Sequence, residues 1–562
     1  MLQFKPNEII VPKAQYLLYG FESHGNVIIP PHYQPKKFSG DTLLWILPVN
    51  PEQGQAVKLT CGHYDVKNGQ VKFIGTYAKE EFPARPACDF FGQGIRFELE
   101  HGDVFEQAYA RFYWDNLLPQ IAERTMMRNK LDVRDGYVMS TLNKKAYAGT
   151  YPAVDHEFHM KGRFAVGGAA EASLIRRMLE LQLKVMREYK TGQSKNLCAI
   201  QPNRAREYDV WRKSCDKKNN AQMFRITANV EFVEGMYHYY CLTKDIDFLR
   251  THIDATERNC DYIESFIQPD GLLDSHVYYE DQVIKDGPVA QAQCFAVNGF
   301  RLMAKLETLL GRNDQAAHYE HLANKLGEAM QLFWDADKGR FIDWIDSHGE
   351  RHDHVHLLAN QLPTMLGLAS EEQAQKCAEA IQQHSEIWAK FPSFVAAKIE
   401  DYTDSELGCP YDLCAAGRYW CWDAEFLAWQ NDGEALLRQL LQVAEQAKID
   451  GFLMGERYDM NYVYYIDDKN WHGASLYYEY PNVFLYVLMC HYLGVRRGFD
   501  CDVELKPLIN EGTVTLEAYG LSYTVKDGQL TLKNIGVRAL SVKLPLHGRR
   551  LVLEPGAEQV MT

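Results

Sequence analysis

At 562 residues the chain is too long for one ordinary core, and its 46% hydrophobic and 24% charged residues are the proportions of a folded globular protein. Sixty basic against 75 acidic residues leave a net charge of −15, which excludes an extended nucleic-acid surface. No stretch approaches the roughly 20 apolar residues of a membrane span.

The opening MLQFKPNEIIVPK has neither the apolar run nor the cleavage site of a secretory leader. The thirteen cysteines are scattered without CxxC spacing and read as free thiols of a reducing compartment, so a cytoplasmic location is expected. Residues 1–105 read as a β domain. Short runs at 43–49 (LLWILPV), 56–61, 70–77 and 94–99 are separated by Gly, Pro and Asn, a spacing that suits an antiparallel sandwich. A linker helix is predicted over 104–127, and the connecting region is set at 106–134. From Gly167 the period becomes helical, beginning with GGAAEASLIRRMLELQLKVMREY. Further helices are predicted over 226–243, 247–266, 290–310, 313–334, 355–368, 370–383, 415–431, 434–449 and 480–493. With pieces near 150–165, about twelve helices fit between 135 and 497. Short turns alternate with long loops rich in Asp, Glu, Tyr and Trp. Six antiparallel hairpins of this kind close into an (α/α)6 toroid with a cleft on the long-loop face. Residues 498–562 alternate apolar and polar again, at 513–518, 521–525, 529–533 and 539–544, and form a small β cap. The expected class is therefore mainly α with flanking β.

The 33 tyrosines and 10 tryptophans supply flat apolar faces with polar tips, which suit sugar recognition, although most of them must pack between helices. Glycosidic hydrolysis needs one carboxyl to protonate the leaving oxygen and another to activate water or attack directly. Two loops offer them. In DSHVYYEDQVIKDGPVAQAQ (274–293), Tyr279, Glu280 and Asp281 stand together, and two adjacent acids beside aromatic rings can have split pKa values. The bland reading of that loop is a solvated helix start. In MGERYDMNYVYYIDDKNWHGASLYYEY (454–480), Glu456 follows Gly455 and precedes Arg457, which favours an ionised base; Trp471 and His472 follow, and Glu479 is a second candidate base. A structural Arg–Glu pair is the alternative there.

Other loops mix acids, aromatics and bases as hydroxyl-binding loops do. Asp155 and Glu157 lie in DHEFH, with Asp155 a rival acid. Tyr208, Asp209, Trp211 and Arg212 lie in EYDVWR. Asp343 and Trp344 precede RHDHVH, which contains His352, Asp353 and His354. Each cluster reads equally as interhelical ion pairs or caps. His352 and His356, spaced one helical turn apart, invite a metal, but no HExxH pattern and no neighbouring third ligand accompany them. No metal and no cofactor are expected. In 399–423, Tyr411, Asp412 and Trp422 are candidates for a subsite wall, with Trp420 assigned to the core. Nucleotide-binding and serine-hydrolase motifs are absent.

Strand domain, linker helix, helical toroid and β cap together resemble the six-hairpin glycosidases, which include glucoamylases, bacterial α-L-rhamnosidases and disaccharide phosphorylases. The run Tyr279-Glu280-Asp281, followed by Gly287 and an Ala/Gln-rich helix, is similar to the glucoamylase general-acid segment. Gly455-Glu456 is similar to that family's base. Asn470-Trp471-His472 matches the rhamnosidase Asn-His pair only loosely, and RKSCDKKNN (212–220) stands where the rhamnosidase acid motif would be. The resemblance implies an exo-acting, inverting hydrolase of an oligosaccharide or small glycoside, with Glu280 as acid and Glu456 as base. Its partner would be a mono- or oligosaccharide, with no nucleic acid and no membrane. The alternatives are a disaccharide phosphorylase on the same scaffold, a sugar epimerase relying on histidines, or a non-catalytic carbohydrate-binding protein.

Overall fold

The computed structural model describes residues 95–117, 150–188, 195–200, 209–278, 283–385, 391–394, 401–408, 414–452, 454–458 and 476–561, isolated positions 120, 138, 140 and 141, and the backbone of short strands within 4–82 and at 206–207. Among these residues the chain is mainly helical, with strands at both ends. Twelve α-helices are α1 (Gly102–Phe112), α2 (His156–Val166), α3 (Ala169–Arg187), α4 (Thr227–Thr243), α5 (Ile246–Glu264), α6 (Ala290–Leu309), α7 (Asn313–Ala329), α8 (Leu357–Met365), α9 (Glu371–Gln382), α10 (Gly417–Gln430), α11 (Gly433–Ile449) and α12 (Glu479–Tyr486). The periodic segments predicted from Gly167 onward each overlap one of them, three of the helices starting one residue early, at Ile246, Gly433 and Glu479. The expected linker helix starts two residues early, at Gly102, and passes into a π-helical turn at Tyr113–Leu117.

Local chemistry sets several of the ends. Asp245 caps α5 by accepting from the Phe248 amide, Asp432 caps α11 through the Ala435 amide, and Ser370 with Gln373 forms a capping box on α9. Helix α10 stops at Asn431, whose φ of 63° is tolerated because Asn accepts the left-handed region.

The helices separate into two kinds. In α2 and α12 nearly every residue is buried and in α4, α6, α8 and α10 most are, whereas α5, α7, α9 and α11 bury one stripe and expose the other. Contacts follow this division. Helix α2 packs on α4, α4 on α6, α6 on α8, α8 on α10, α10 on α12, and α12 back on α2. The amphipathic helices lie outside that succession, α5 against α4, α7 against α6, α9 against α8 and α11 against α10. The α2–α12 approach depends on Gly162, where any Cβ would overlap Asn482.

At the C-terminal end a five-stranded antiparallel sheet runs in the order Ile95–Leu99, Gly512–Leu516, Leu521–Lys526, Gln529–Asn534, Glu558–Met561. Its first strand comes from the N-terminal side of α1. A four-stranded sheet of Val495–Arg497, Val503–Leu505, Leu540–Leu544 and Arg549–Leu553 lies beside it in sequence. Tyr519 and Tyr523 tie the first sheet to the helices by donating to the Ala165 and Leu493 carbonyls at 2.9 and 2.7 Å. Near the N-terminus, Phe4–Lys5, Glu8–Ile10, Gln70–Phe73 and Tyr64–Lys67 pair antiparallel, as do Phe21–Glu22, Val57–Cys61 and Ala78–Phe82. No helix among the described residues is long and apolar enough to cross a membrane.

The interior between the mostly buried helices is not purely apolar. Lys161 pairs with Glu157, stands 3.9 Å from Glu234 and lies 4.0 Å from the centre of the Trp422 ring. Asn298 donates to Glu234 at 2.8 Å. Arg163 reaches Glu171 at 2.9 Å, and Tyr113 donates to the same carboxylate. His156 has Nδ1 2.6 Å from the Ala153 carbonyl and 3.6 Å from Glu231. Burial pushes the His156 ring down to about 4, against the opposing pull of Ala153 and Glu157. The folded protein therefore holds this ring neutral, while an unfolded histidine protonates near pH ~6.5. Between those values the unfolded state binds more protons, so stability falls as the pH drops through that window, by up to about 3 kcal/mol from this ring. A series of melting temperatures from neutral pH to about pH 4.5 should show a smaller acid loss in His156→Gln than in the parent protein. Identical pH slopes would rule the ring out as a source of acid sensitivity.

Candidate active site

Each of the helices α2, α4, α6, α8, α10 and α12 begins just after a long loop. One constellation forms where α2, α10 and α12 begin. Strands Ala415–Ala416 and Arg457–Tyr458 pair, with Ala416 opposite Arg457, which brings the start of α10 beside Glu456. Gly417 permits α12 to close on α10, since a Cβ there would stand 2.9 Å from the Glu479 Cβ and the Tyr480 amide nitrogen. Arg418, in the first turn of α10, then points into a nest of carboxylates. Its Nη2 lies 2.7 Å from Glu479 Oε1 and 3.1 Å from Glu456 Oε1, its Nε 3.2 Å from Glu479 Oε2, and its Nη1 3.8 Å from Asp155 Oδ1. Arg457 adds a second guanidinium 3.3 Å from Glu456 Oε1. Tyr478 donates to the Asp155 carbonyl at 3.0 Å and stacks on His159 with the rings 4.0 Å apart.

All of these charged groups are buried. Burial alone would lower the Arg418 pKa, but Glu479, Asp155 and Glu456 hold it well above its usual value, so it remains a cation. Burial pushes the Glu479 carboxyl up to about 8; Arg418 opposes the rise, and Asp155 and Glu456 add to it. The cluster thus contains a carboxyl that keeps its proton near neutrality beside one bracketed by two guanidinium ions.

A second constellation surrounds Trp344. Lys285 and Asp343 form a fully buried ion pair at 2.7 Å. Trp344, itself buried, stacks on His352 with the rings 4.1 Å apart and nearly parallel, and Tyr402 stacks on His354 at 3.8 Å. His352 Nδ1 and His354 Nε2 lie 2.8 and 2.9 Å from one oxygen, Glu406 Oε1, and His352 Nε2 is 3.3 Å from Asp346. Burial would raise Glu406, but hydrogen bonds from the two histidines and Thr403 reverse this and hold it well below the usual carboxylate range. His352 and His356 do not share a helical face. The first lies in the Arg351–His352 strand, and the second is the N-cap of α8, its Nδ1 accepting from the Ala359 amide at 3.2 Å.

The remaining expected residues are dispersed. Asp209 accepts from Lys195 and Gln222, both at 2.7 Å. Trp211 is 53% exposed on the Val210–Lys213 strand, edge-on to His276, and Arg212 is exposed beside it. Asp353 pairs with Lys338 and, at 3.0 Å, with Arg340. Glu157 and Trp422 belong to the buried Lys161 cluster, Trp422 with Phe295 edge-on at 4.4 Å, so this ring packs in the interior. Tyr208, Tyr279, Glu280, Asp281, Tyr411, Asp412, Trp471 and His472 lie outside the described residues. The flanks of the Glu280 loop are fixed: the Tyr278 carbonyl accepts from Thr227 at 2.7 Å, and Val283 bridges to Leu407.

Arg418, Glu406, Lys285, Glu231 and Glu234 were not singled out from the sequence. A signal existed for three of them. Arg418 stands in CAAGRYWCW, and Glu231 and Glu234 in ANVEFVEGM; an ion inside an otherwise apolar helical run must be buried and therefore paired.

With this geometry described, the chain can be set beside known proteins. The description "Mannosylglycerate hydrolase MGH1-like glycoside hydrolase domain" matches residues 258–421. Solved structures with similar folds include an α-L-rhamnosidase from Aspergillus terreus (14% identity, TM-score 0.54, covering 91% of this chain and 60% of that one). Another is the Streptomyces avermitilis α-L-rhamnosidase complexed with L-rhamnose (13%, 0.51, 88% and 44%), and a third the family GH78 rhamnosidase of Bacillus sp. GL1 (16%, 0.50, 82% and 43%). The fold is thus similar to that of these α-L-rhamnosidases. The chain spans between about two fifths and three fifths of the length of these structures. No curated protein sequence matches it.

Arg418→Met would leave three buried carboxyls facing one another. Removing one partner of a buried ion pair costs about 3–5 kcal/mol, so the denaturant midpoint should fall accordingly. Part of the loss should return as the pH is lowered, because protonation relieves the repulsion. A loss below about 1 kcal/mol would mean that Arg418 does not lock the cluster.

Proposed function

We propose that the chain is a glycoside hydrolase built on an (α/α)6 toroid, exo-acting and inverting, with Glu456 as the general base and Glu280 as the general acid. The observation that carries this reading is the buried Asp155–Arg418–Glu456–Glu479 constellation at the beginnings of α2, α10 and α12. The toroid is supported by the succession of contacts from α2 through α4, α6, α8, α10 and α12 back to α2. The division into a 1–105 β domain, a 106–134 linker, a 135–497 catalytic domain and a 498–562 β domain is part of the proposal, with the 95–99 strand crossing to the last of these. The family match over 258–421 covers the Glu280 loop.

In this reading two carboxyls act on opposite sides of the sugar, roughly 6.5–9.5 Å apart, against the roughly 5–5.5 Å of a retaining pair. Glu280 protonates the leaving oxygen while Glu456 takes a proton from the attacking water. Arg418 and Arg457 orient the base, and Glu479, kept protonated, lets a third carboxyl sit beside it without a third negative charge. Asp155 and Glu479 are the reserve candidates for acid and base. Asp209, Trp211, Arg212 and Asp353 are proposed to contact sugar hydroxyls and ring faces, and His352 and His354, whose ring nitrogens are turned to Glu406 and Asp346, to support them. Asp343, Trp344, Glu157 and Trp422 support them from beneath. A cytoplasmic setting fits the ten cysteines among the described residues, all free thiols.

The test is a panel of aryl glycosides and small glycosides that includes α-L-rhamnosides and mannosylglycerate, with product anomer followed by NMR. Glu456→Gln and Glu280→Gln should each lower kcat by about 10²–10⁴-fold, and the first-formed anomer should be inverted. Full activity in both variants would remove this assignment. Turnover that requires phosphate would replace hydrolysis with phosphorolysis.

A further inference from the structure

We propose that His352, His354 and Glu406 form a binding site for one divalent transition-metal ion, zinc by preference. The sequence places two of the ligands in RHDHVH and hides the third, which arrives from a turn 52 residues beyond His354. The ligand atoms all lie within 4.8 Å of one another, with both histidine nitrogens directed at the same carboxylate oxygen. Donors at about 2.0–2.2 Å from a tetrahedral zinc stand about 3.4 Å apart. The present 2.8 and 2.9 Å separations therefore need to open by only about half an ångström to admit the ion.

The surroundings are those of a metal site. Asp346 Oδ2 faces His352 Nε2 at 3.3 Å, so with that nitrogen protonated the Nδ1 lone pair is presented to the ion, an arrangement that recurs behind metal-bound histidines. Asp346 is itself fixed, accepting from the His348 and Glu350 amides at 2.9 and 2.8 Å. The second oxygen of Glu406 accepts from the Thr403 amide and hydroxyl at 2.7 and 2.9 Å, which orients the first. Trp344 and Tyr402 lie flat against the two imidazoles and prevent them from swinging away.

Charge points the same way. Among the described residues no Lys or Arg pairs with Glu406; its side-chain partners there are His352, His354 and Thr403. Asp500, Cys501 and Glu504 form another group of potential ligands, but Arg550 and Lys543 already neutralise its carboxylates at 2.7 and 2.9 Å. Two neutral imidazoles and one carboxylate suit zinc. On binding, the protons that the ring nitrogens direct at Oε1 are displaced, and a fourth position is left for water or a hydroxyl oxygen. This site does not depend on the hydrolytic reading.

The full-length protein, stripped with a chelator and redialysed, should take up one equivalent of zinc in competition with a chromophoric chelator. Cobalt(II) should give the visible bands of a four- or five-coordinate ion with no thiolate charge-transfer band. His354→Ala and Glu406→Gln should each lose at least about 100-fold in affinity, and Asp346→Asn about 10–100-fold. Cys501→Ser should bind as the parent does. The proposal is overturned if the folded parent protein binds no stoichiometric zinc or cobalt, if the cobalt spectrum shows a thiolate, or if His352→Ala and His354→Ala retain the affinity.

Discussion

The Arg418 guanidinium lies 2.7 Å from Glu479, 3.1 Å from Glu456 and 3.8 Å from Asp155, all four residues being buried. Burying these carboxyls together depends on it and on Arg457, which also reaches Glu456, since an unpaired ion at such depth costs several kcal/mol. The same contact joins three parts of the fold: the entry to α2, the first turns of α10 and α12, and the strand pair that precedes them. Gly417 is small because this contact is close, and the Ala416–Arg457 register brings Glu456 to it. The catalytic proposal and the packing of three helices therefore rest on one cation, and changes to Arg418 reach both.

Much of this architecture was legible in the sequence. The 3.6-residue period of 290–310 and 434–449 and the two-residue alternation of 521–525 and 529–533 are direct consequences of having one buried face, and α6, α11 and two C-terminal strands form there. Glu456, Arg457, Glu479 and Asp155 were all marked from composition, and they do meet. The cation between them was missed because Arg418 stands among aromatic residues of a helix start, far from the acid-rich loops. Similar reasoning explains His352 and His356. A four-residue spacing implies a shared face only inside a helix, and here a strand ends between them and α8 begins after them. Long-range convergence leaves no local trace, and Glu406 arrives at the histidines only through folding.

The buried charges follow from how the helices are used. A helix with little solvated face has nowhere else to place its polar residues, so Glu157, Lys161 and Glu234 must satisfy one another, and Glu231 stands beside His156. Replacing them with apolar residues would often be neutral or stabilising on energetic grounds.

The helix starts have their own electrostatic logic. An α-helix presents roughly half a positive charge at its N-terminus, from amides that have no partner within the helix. Asp155 is the N-cap residue of α2, Glu479 lies in the first turn of α12, and Glu456 reaches Arg418 in the first turn of α10. At α6 the Asp343 carbonyl accepts from the Ala290 amide, while the Asp343 side chain holds Lys285. Bringing the starts of α2, α10 and α12 together therefore favours carboxylates beside them, and Glu479 holding its proton next to Glu456 reduces the negative charge that Arg418 and Arg457 must balance.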